Sequence, residues 1–381
     1  MIVRVADNII SPLGMTSEEN YAAVKAGRSM LGLHEGKWGL PDPFVASLMD
    51  RDQVEHAFDG LACNAEYTFL EKMIILSASK AIQNAGIEAG SPKVLFILST
   101  TKGNVFLLDD NETGFPKERV MLGVAARQMT GFFHNPNPPV VVSNACISGL
   151  CAQIEAMRNL ESGCFDYVVV VGCDVQSAFI VSGFQSLKAL STECCRPFDA
   201  ERKGLNLGDA AATIVYTRKN AADKNDWIAC RGAIRNDANH ISGPSRTGEG
   251  SFRAIQAVLG GMDPDEIAFV NVHGTATLYN DEMESVAIER AGLSQVPVCG
   301  LKGYYGHTMG AAGVLETILS MQAVDDHCVV ATKGFENLGV SHPLVLWNRN
   351  QTTEKRVFVK MLSGFGGCNA AMLFAKGGAP C

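Results

Sequence analysis

No apolar run in this chain is long enough to span a bilayer. Its strongest, such as Tyr167 to Val171, falls far short of the roughly 20 residues that a membrane helix needs. There is no dense block of lysine and arginine, and the net charge of −8 argues against a nucleic-acid partner. There is also no paired C-x-x-C framework, so the 12 cysteines, scattered over 381 residues, do not read as zinc ligands. Met1-Ile2-Val3-Arg4 does not lead into the basic and apolar regions of a secretory signal. The expectation is a cytoplasmic protein whose 12 thiols, the adjacent Cys194 and Cys195 included, are all reduced. What is present is core material: 47% hydrophobic residues against 19% charged, and length for two domains or one large duplicated one.

The sharpest local signal is Val140-Val141-Val142-Ser143-Asn144-Ala145-Cys146-Ile147-Ser148-Gly149-Leu150. Three valines after Pro139 predict a buried strand. From Ser148 the period changes: Leu150, Ile154, Met157 and Leu160 fall at helical spacing, and Gly163 is placed to end the helix. Cys146 therefore sits in a strand-to-helix turn, facing the positive end of a helix dipole that favours a thiolate. A buried structural cysteine is the competing reading, and this stretch alone does not choose.

Strands are predicted at 3–10, 93–99, 166–172, 210–217, 227–234, 267–273, 296–300, 357–362 and 370–375. Helices are predicted at 18–26, capped by Ser17, and at 66–85, 119–129, 248–259, 281–291 and 309–323. Residues 28–60 read as irregular, 100–116 and 192–208 as loops, and 219–225 as a weak linker. Strand–helix alternation with buried strands predicts a layered α/β fold. Gly208-Asp209-Ala210-Ala211-Ala212-Thr213-Ile214-Val215-Tyr216 closes the first half and Gly367-Cys368-Asn369-Ala370-Ala371-Met372-Leu373-Phe374-Ala375 the second. Internal duplication and chance likeness between two buried strands both account for that similarity.

Three further stretches carry chemistry. Val270-Asn271-Val272-His273-Gly274-Thr275-Ala276-Thr277, followed by Asp281, brings a histidine off the end of a buried strand. For a lone histidine, a satisfied strand-end residue is the plainer reading. Lys302-Gly303-Tyr304-Tyr305-Gly306-His307-Thr308-Met309-Gly310-Ala311-Ala312-Gly313, with Glu316 beyond, puts a second histidine at the mouth of a helix rich in small residues. Gly364-Phe365-Gly366-Gly367 is a turn whose backbone N–H groups can approach a ligand, or simply a glycine hairpin.

Together, in order and over the full length, these stretches resemble the β-ketoacyl synthases, the Cys-His-His group of the thiolase-fold condensing enzymes. The family pattern is a cysteine in a strand-to-helix turn, H-G-T-x-T, K-x-x-x-x-G-H-x-x-G-A-A-G and a terminal G-F-G-G. Ser11-Pro12-Leu13-Gly14 and Arg196-Pro197-Phe198-Asp199 look like further landmarks. The resemblance implies a thiolase-like duplicated fold layered α/β/α/β/α. Residues 1–225 would form the half carrying the cysteine, and 226–381 the half carrying both histidines.

It also implies decarboxylative Claisen condensation of a Cys146-bound acyl group with a malonyl thioester, in fatty acid, polyketide or polyene synthesis. His273 and His307 would stabilise the negative charge that develops as carbon dioxide leaves. Lys302 would support them through Glu316, and the backbone N–H groups of Cys146 and Phe365 would bind the oxyanion. Phe365 would also gate the site, Thr275 and Thr277 would hold the pantetheine arm, and Gly366 would lie against substrate. No metal or cofactor is expected on the chain itself, because phosphopantetheine arrives on an acyl carrier protein. A homodimer, or a heterodimer with a ketosynthase-like subunit, is implied, with Lys117, Arg119 and Arg127 as candidates for a carrier-binding patch.

The chain departs from the family in three places. Cys368 stands where a threonine is usual, the region 102–135 is abbreviated, and Tyr304-Tyr305 lies beside His307. Two other readings compete. One is a non-catalytic chain-length-type partner, which would have lost the nucleophile. The other is a thiolase-like acyltransferase, whose second cysteine would fall in the terminal glycine motif near Cys368, or a cysteine hydrolase, which would need water where the family places malonate.

Overall fold

The computed structural model describes residues 1–61, 65–109 and 114–381, so Cys63 and positions 110–113 of the loop expected at 100–116 lie outside the described residues. Ten strands form one sheet. In chain order they are β1 (Ile2–Ile10), β2 (Val94–Ser99), β3 (Val140–Val142), β4 (Tyr167–Asp174), β5 (Ala210–Arg218), β6 (Trp227–Asn236), β7 (Ile267–Asn271), β8 (Val298–Cys299), β9 (Val357–Gly364) and β10 (Cys368–Lys376). Their order across the sheet is β3-β2-β4-β5-β1-β6-β10-β9-β7-β8.

Outward from the centre, the order β1-β5-β4-β2-β3 on one side is matched by β6-β10-β9-β7-β8 on the other. The pairing senses match too. β5 is antiparallel to β1 and β4, as β10 is to β6 and β9, while β2 is parallel to β3 and β4, as β7 is to β8 and β9. A short antiparallel ladder of β1 on β6 joins the halves, with Ile2 opposite Ala229. The repeated topology decides for duplication, because the similar stretches at 208–216 and 367–375 lead into β5 and β10, which hold equivalent places.

Helix α1 (Phe69–Ala85) packs on β1, β4 and β5 of the first half. Its start is fixed by a capping box of Thr68 and Glu71, and its end by Gly86 in the left-handed region. Helix α2 (Ser148–Glu161) touches strands of both halves. Helix α3 (Glu249–Leu259) covers β6 and β10, and α4 (Leu278–Arg290) packs against it. Helix α5 (Ala312–Asp325) lies against α2 and also reaches both halves. It is buried on all sides from Ala312 to Met321, as an apolar helix without a polar face must be. The order of layers is thus α/β/α/β/α, as the family resemblance implies.

The two central helices meet backbone to backbone. A Cβ on Gly149 would lie 2.8 Å from Gly313 Cα, and one on Gly313 would lie 2.5 Å from Leu150 N. No helix among the described residues is long and apolar enough to cross a membrane.

Several local expectations change. The cap of an N-terminal helix ahead of α1, Ser17–Lys25, is Thr16, whose hydroxyl accepts from Glu19 N, while Ser17 donates to Asp7 Oδ1 at 2.6 Å. The stretch 28–60 is not wholly irregular: it holds strands Gly32–His34 and Phe44–Ser47 and a helix, Arg51–Asp59, capped by Asp50. These elements are too short for periodicity to register among glycines and prolines. The three valines of β3 are only half-buried, because β3 is an outer strand of the sheet. The expectation of fully reduced cysteines also fails: Cys230 and Cys381 are joined, with their Cα atoms 5.5 Å apart. The tail beyond β10 turns across the start of β6, where Gly377 N donates to Asp226 O, and this brings together two residues 151 positions apart.

The Gly149–Gly313 contact leaves no room for a methyl group. Gly149→Ala is expected to lower unfolding stability by roughly 3 kcal/mol in urea titration. A loss below about 0.5 kcal/mol would show that the helices can separate freely.

Candidate active site

The Cys146 turn is built from strained and hydrogen-bonded backbone. Ala145 has φ +45°, a region in which residues other than glycine are uncommon. Ser148 Oγ accepts from Asn144 N at 2.7 Å and donates to Ala145 O at 2.6 Å, pinning the turn directly ahead of α2. The end of β9 comes so close that a Cβ on Gly364 would lie 3.1 Å from Cys146 N.

His273 follows β7 and is held through its backbone. His273 N and Gly274 N each donate at 2.7 Å to one oxygen of Glu284 on α4. Asp281, also on α4, accepts from Thr275 N at 3.0 Å and from Phe198 N at 2.7 Å, which ties in the Arg196–Asp199 landmark. His307 N donates to Asn206 O at 2.7 Å. Met309 N donates to His307 Nδ1 at 3.3 Å, which makes Nδ1 an acceptor and assigns the proton to Nε2.

These elements bring Cys146, His273 and His307 together: the thiol sulfur and one ring nitrogen from each histidine lie within 4.8 Å of one another. The rings are 5.0 Å apart and nearly perpendicular, at 85°. All three residues are buried. His273 Nδ1 and His307 Nε2 have no hydrogen-bond partner among the described residues. A buried polar atom left alone costs on the order of 1–3 kcal/mol, so two in one place suit a polar ligand group.

Behind the imidazoles lies a buried ion cluster. Lys302 Nζ donates to Glu316 Oε1 at 2.8 Å and to His273 O at 2.6 Å. Lys360, in the middle of β9, donates to Glu316 Oε2 at 2.6 Å. Burial would raise the Glu316 carboxyl, but the two ammonium groups outweigh it and hold the carboxyl below its ordinary range. Burial, and then the Lys302 charge, push both imidazoles well below 6.5, and Lys360 adds to this, so both rings are neutral at pH 7. Lys360 is the site residue that pattern reading missed. Its available signal was a single lysine inside the apolar run Val357-Phe358-Val359-Lys360-Met361-Leu362.

The expected thiolate is corrected. Burial, helped by the neighbouring Cys368, pushes the Cys146 thiol up to about 12, against the pull of Lys302, Lys102 and a hydrogen bond from the Phe365 backbone. Desolvation outweighs the helix terminus, and the resting Cys146 side chain is a thiol.

The remaining predicted residues divide. The Phe365 N–H faces the Cys146 sulfur, and its ring lies 5.9 Å from that of Phe184. Gly366 N donates to Ile241 O at 2.7 Å, so its N–H is already engaged. The Thr275 and Thr277 hydroxyls are 2.9 Å apart and bonded to each other. Cys368 Sγ donates to Phe365 O at 3.3 Å, much as a threonine hydroxyl would. The Tyr304 and Tyr305 hydroxyls bond to Ala331 O and Asn20 Oδ1, so both rings pack rather than reach the histidines. Arg119 is paired with buried Glu71, which removes it from the candidate carrier-binding patch, whereas Lys117 and Arg127 are exposed.

Residues 2–222 match the family described as beta-ketoacyl synthase, N-terminal domain, and residues 228–336 match beta-ketoacyl synthase, C-terminal domain. Among curated relatives, 3-oxoacyl-[acyl-carrier-protein] synthase 2 of Vibrio cholerae is 26% identical, with 98% of this chain and 99% of that protein covered. The mitochondrial 3-oxoacyl-[acyl-carrier-protein] synthase of Arabidopsis thaliana is 32% identical, over 68% of this chain and 61% of that protein. Two solved structures share the fold at 24% identity. One is a ketosynthase in complex with its chain length factor from Xenorhabdus doucetiae (TM-score 0.86, 98% of each chain covered), and the other is the ishigamide ketosynthase/chain length factor (TM-score 0.88, 99% of each).

The depressed imidazoles have a measurable consequence. The unfolded chain takes up a proton at His307 near pH 6.5 while the folded chain does not, so this residue lowers stability as pH falls through 6.5. His307→Ala removes that term, whereas the cavity it leaves is independent of pH. In urea unfolding, the stability gap between wild type and variant should narrow below pH 6.5, by up to roughly 1.4 kcal/mol per pH unit. A gap that stays constant from pH 7.5 to 5.5 would show that His307 titrates normally.

Proposed function

The chain belongs to the β-ketoacyl synthase family, and from that premise we propose that Cys146 is its acyl acceptor and that His273 and His307 activate the malonyl thioester. The protein is an acyltransferase of the 3-oxoacyl synthase type, and its reaction is a condensation. The observation that carries the residue assignment is one thiol and two unpartnered imidazole nitrogens gathered in a single buried site.

In the first half-reaction the Cys146 sulfur attacks the carbonyl carbon of an acyl thioester. The oxygen of the tetrahedral intermediate is met by the backbone N–H groups of Cys146 and Phe365. The carbonyl re-forms, the carbon–sulfur bond to the carrier breaks, and the thiol proton ends on the carrier sulfur. The exchange creates no net charge, which suits a thiol that burial keeps protonated.

In the second half-reaction a malonyl thioester loses its carboxylate as carbon dioxide. The electron pair of the broken carbon–carbon bond moves onto the thioester as an enolate, and N–H groups of His273 and His307 stabilise its oxygen. Imidazoles that stay neutral suit this task, since each must donate a proton in a hydrogen bond without giving it up. The α-carbon then attacks the acyl group on Cys146, a carbon–carbon bond forms, and the sulfur leaves and regains a proton. The product is a 3-oxoacyl thioester.

The reading includes an acyl carrier protein as partner. Its pantetheine arm would run past Thr275 and Thr277, with Lys117 and Arg127 offered to its acidic surface. The chain itself would need no cofactor or metal. Association with a second ketosynthase-like subunit, or with a second copy of this chain, is supported by the two fold neighbours described with chain length factors. A cytoplasmic location belongs to the same reading.

Intact mass after incubation with acyl-loaded carrier proteins tests the assignment. The protein should gain the acyl mass, Cys146→Ala should not, and malonyl-loaded carrier should discharge it to a 3-oxo product. Acylation that persists in Cys146→Ala would overturn the assignment.

A further inference from the structure

We propose that Lys360 is a positioning residue for the decarboxylation step: with Lys302 it flanks Glu316, and these three groups together carry one net positive charge behind His273 and His307. The inference rests on the condensing function above and deepens it.

The geometry is specific. The Lys360 side chain is fully buried, and its Nζ donates to Glu316 Oε2 at 2.6 Å, Met361 O at 3.0 Å and Val272 O at 3.2 Å, with Asn271 O at 3.5 Å. Lys302 Nζ donates to the next carbonyl along, His273 O, at 2.6 Å. The two ammonium groups thus hold successive carbonyls, Val272 and His273, and share one carboxylate. This fixes the strand end from which the His273 ring projects.

The charge count gives the site its bias. Lys302 with Glu316 alone would be neutral. Lys360 adds one positive charge in a region closed to water, where an interaction is weakly screened. That field opposes protonation of either imidazole and favours the negative charge of the enolate. Acyl transfer from one thioester to another passes through an oxyanion held elsewhere, by backbone N–H groups, and depends less on this charge.

The charge is also titratable. Burial pushes the Lys360 ammonium down to about 8, against the attraction of Glu316, with Lys302 adding to the depression. Glu284 on α4 and Cys299 on β8 also act on it electrostatically, and it acts on both histidines. A lysine with a lowered value carries its charge below that value and loses it above, so decarboxylation should fall as pH rises through about 8.

The experiment follows the two half-reactions separately, using hexanoyl-loaded and malonyl-loaded bacterial acyl carrier protein from pH 6.5 to 9.5. Intact mass reads acylation of Cys146, and conversion of malonyl to acetyl or 3-oxo carrier reads decarboxylation. Wild type should lose decarboxylation as pH rises through about 8 and level off near the rate of Lys360→Met. Lys360→Met should decarboxylate at least tenfold more slowly at pH 7, with no such decline, while acylation falls less than threefold. Lys360→Arg should keep the rate and move the decline beyond the range.

A flat wild-type profile would overturn the proposal without any variant, so a misfolded substitution does not shield it. Equal losses in both half-reactions of Lys360→Met, or a decline near pH 8 that persists in Lys360→Arg, would also overturn it. Wild type inactive in both half-reactions would instead sink the functional reading on which the proposal rests.

Discussion

The contact of Gly149 with Gly313 is the constraint on which the rest of the molecule depends. It lets α2 and α5 touch through their backbones in the middle layer, between the two related half-sheets. Cys146 lies just ahead of α2 and His307 just ahead of α5, so the helix contact sets how near the thiol comes to that imidazole. The neighbouring turn is anchored in the same way. Gly310 N donates to Asp174 at the end of β4, and Ser99 at the end of β2 donates to Gly310 O. A duplicated sheet thus gives its strand ends to a single seam, and residues from both halves face each other there.

Burial then decides the electrostatics. Ionised groups removed from water are tolerated only when paired and hydrogen-bonded, and Glu316 meets that condition with two lysines instead of one. The same burial keeps Cys146 as a thiol and both histidines neutral. The site is consistent as chemistry: Cys146, His273 and His307 carry no charge at rest, and the charge of Lys302, Glu316 and Lys360 lies behind them.

Much of this was legible in the residues. The Cys146 turn and the His273 and His307 stretches were visible because each combines a reactive side chain with glycine or small residues at a change of period, whereas the Lys302–Glu316 pair came from the family resemblance. The order of the motifs carried the family. Less was legible in 28–60, where short elements are set by packing rather than by periodicity, and at Ser17, where the neighbouring Thr16 makes the capping box instead. Arg119 read as a surface charge because its partner, Glu71, lies 48 positions earlier.

By itself, then, the sequence determined the layered α/β class, and the order of its motifs carried the family and, through that resemblance, the reaction. The class follows from local periodicity, which acts over a few residues. Only the tertiary structure decided the protonation of Cys146, the pairing of Cys230 with Cys381, the engagement of the Gly366 N–H by Ile241 and the place of Lys360 beside Glu316. Each depends on desolvation or on a contact between distant segments, and neither exists until the halves have closed on each other.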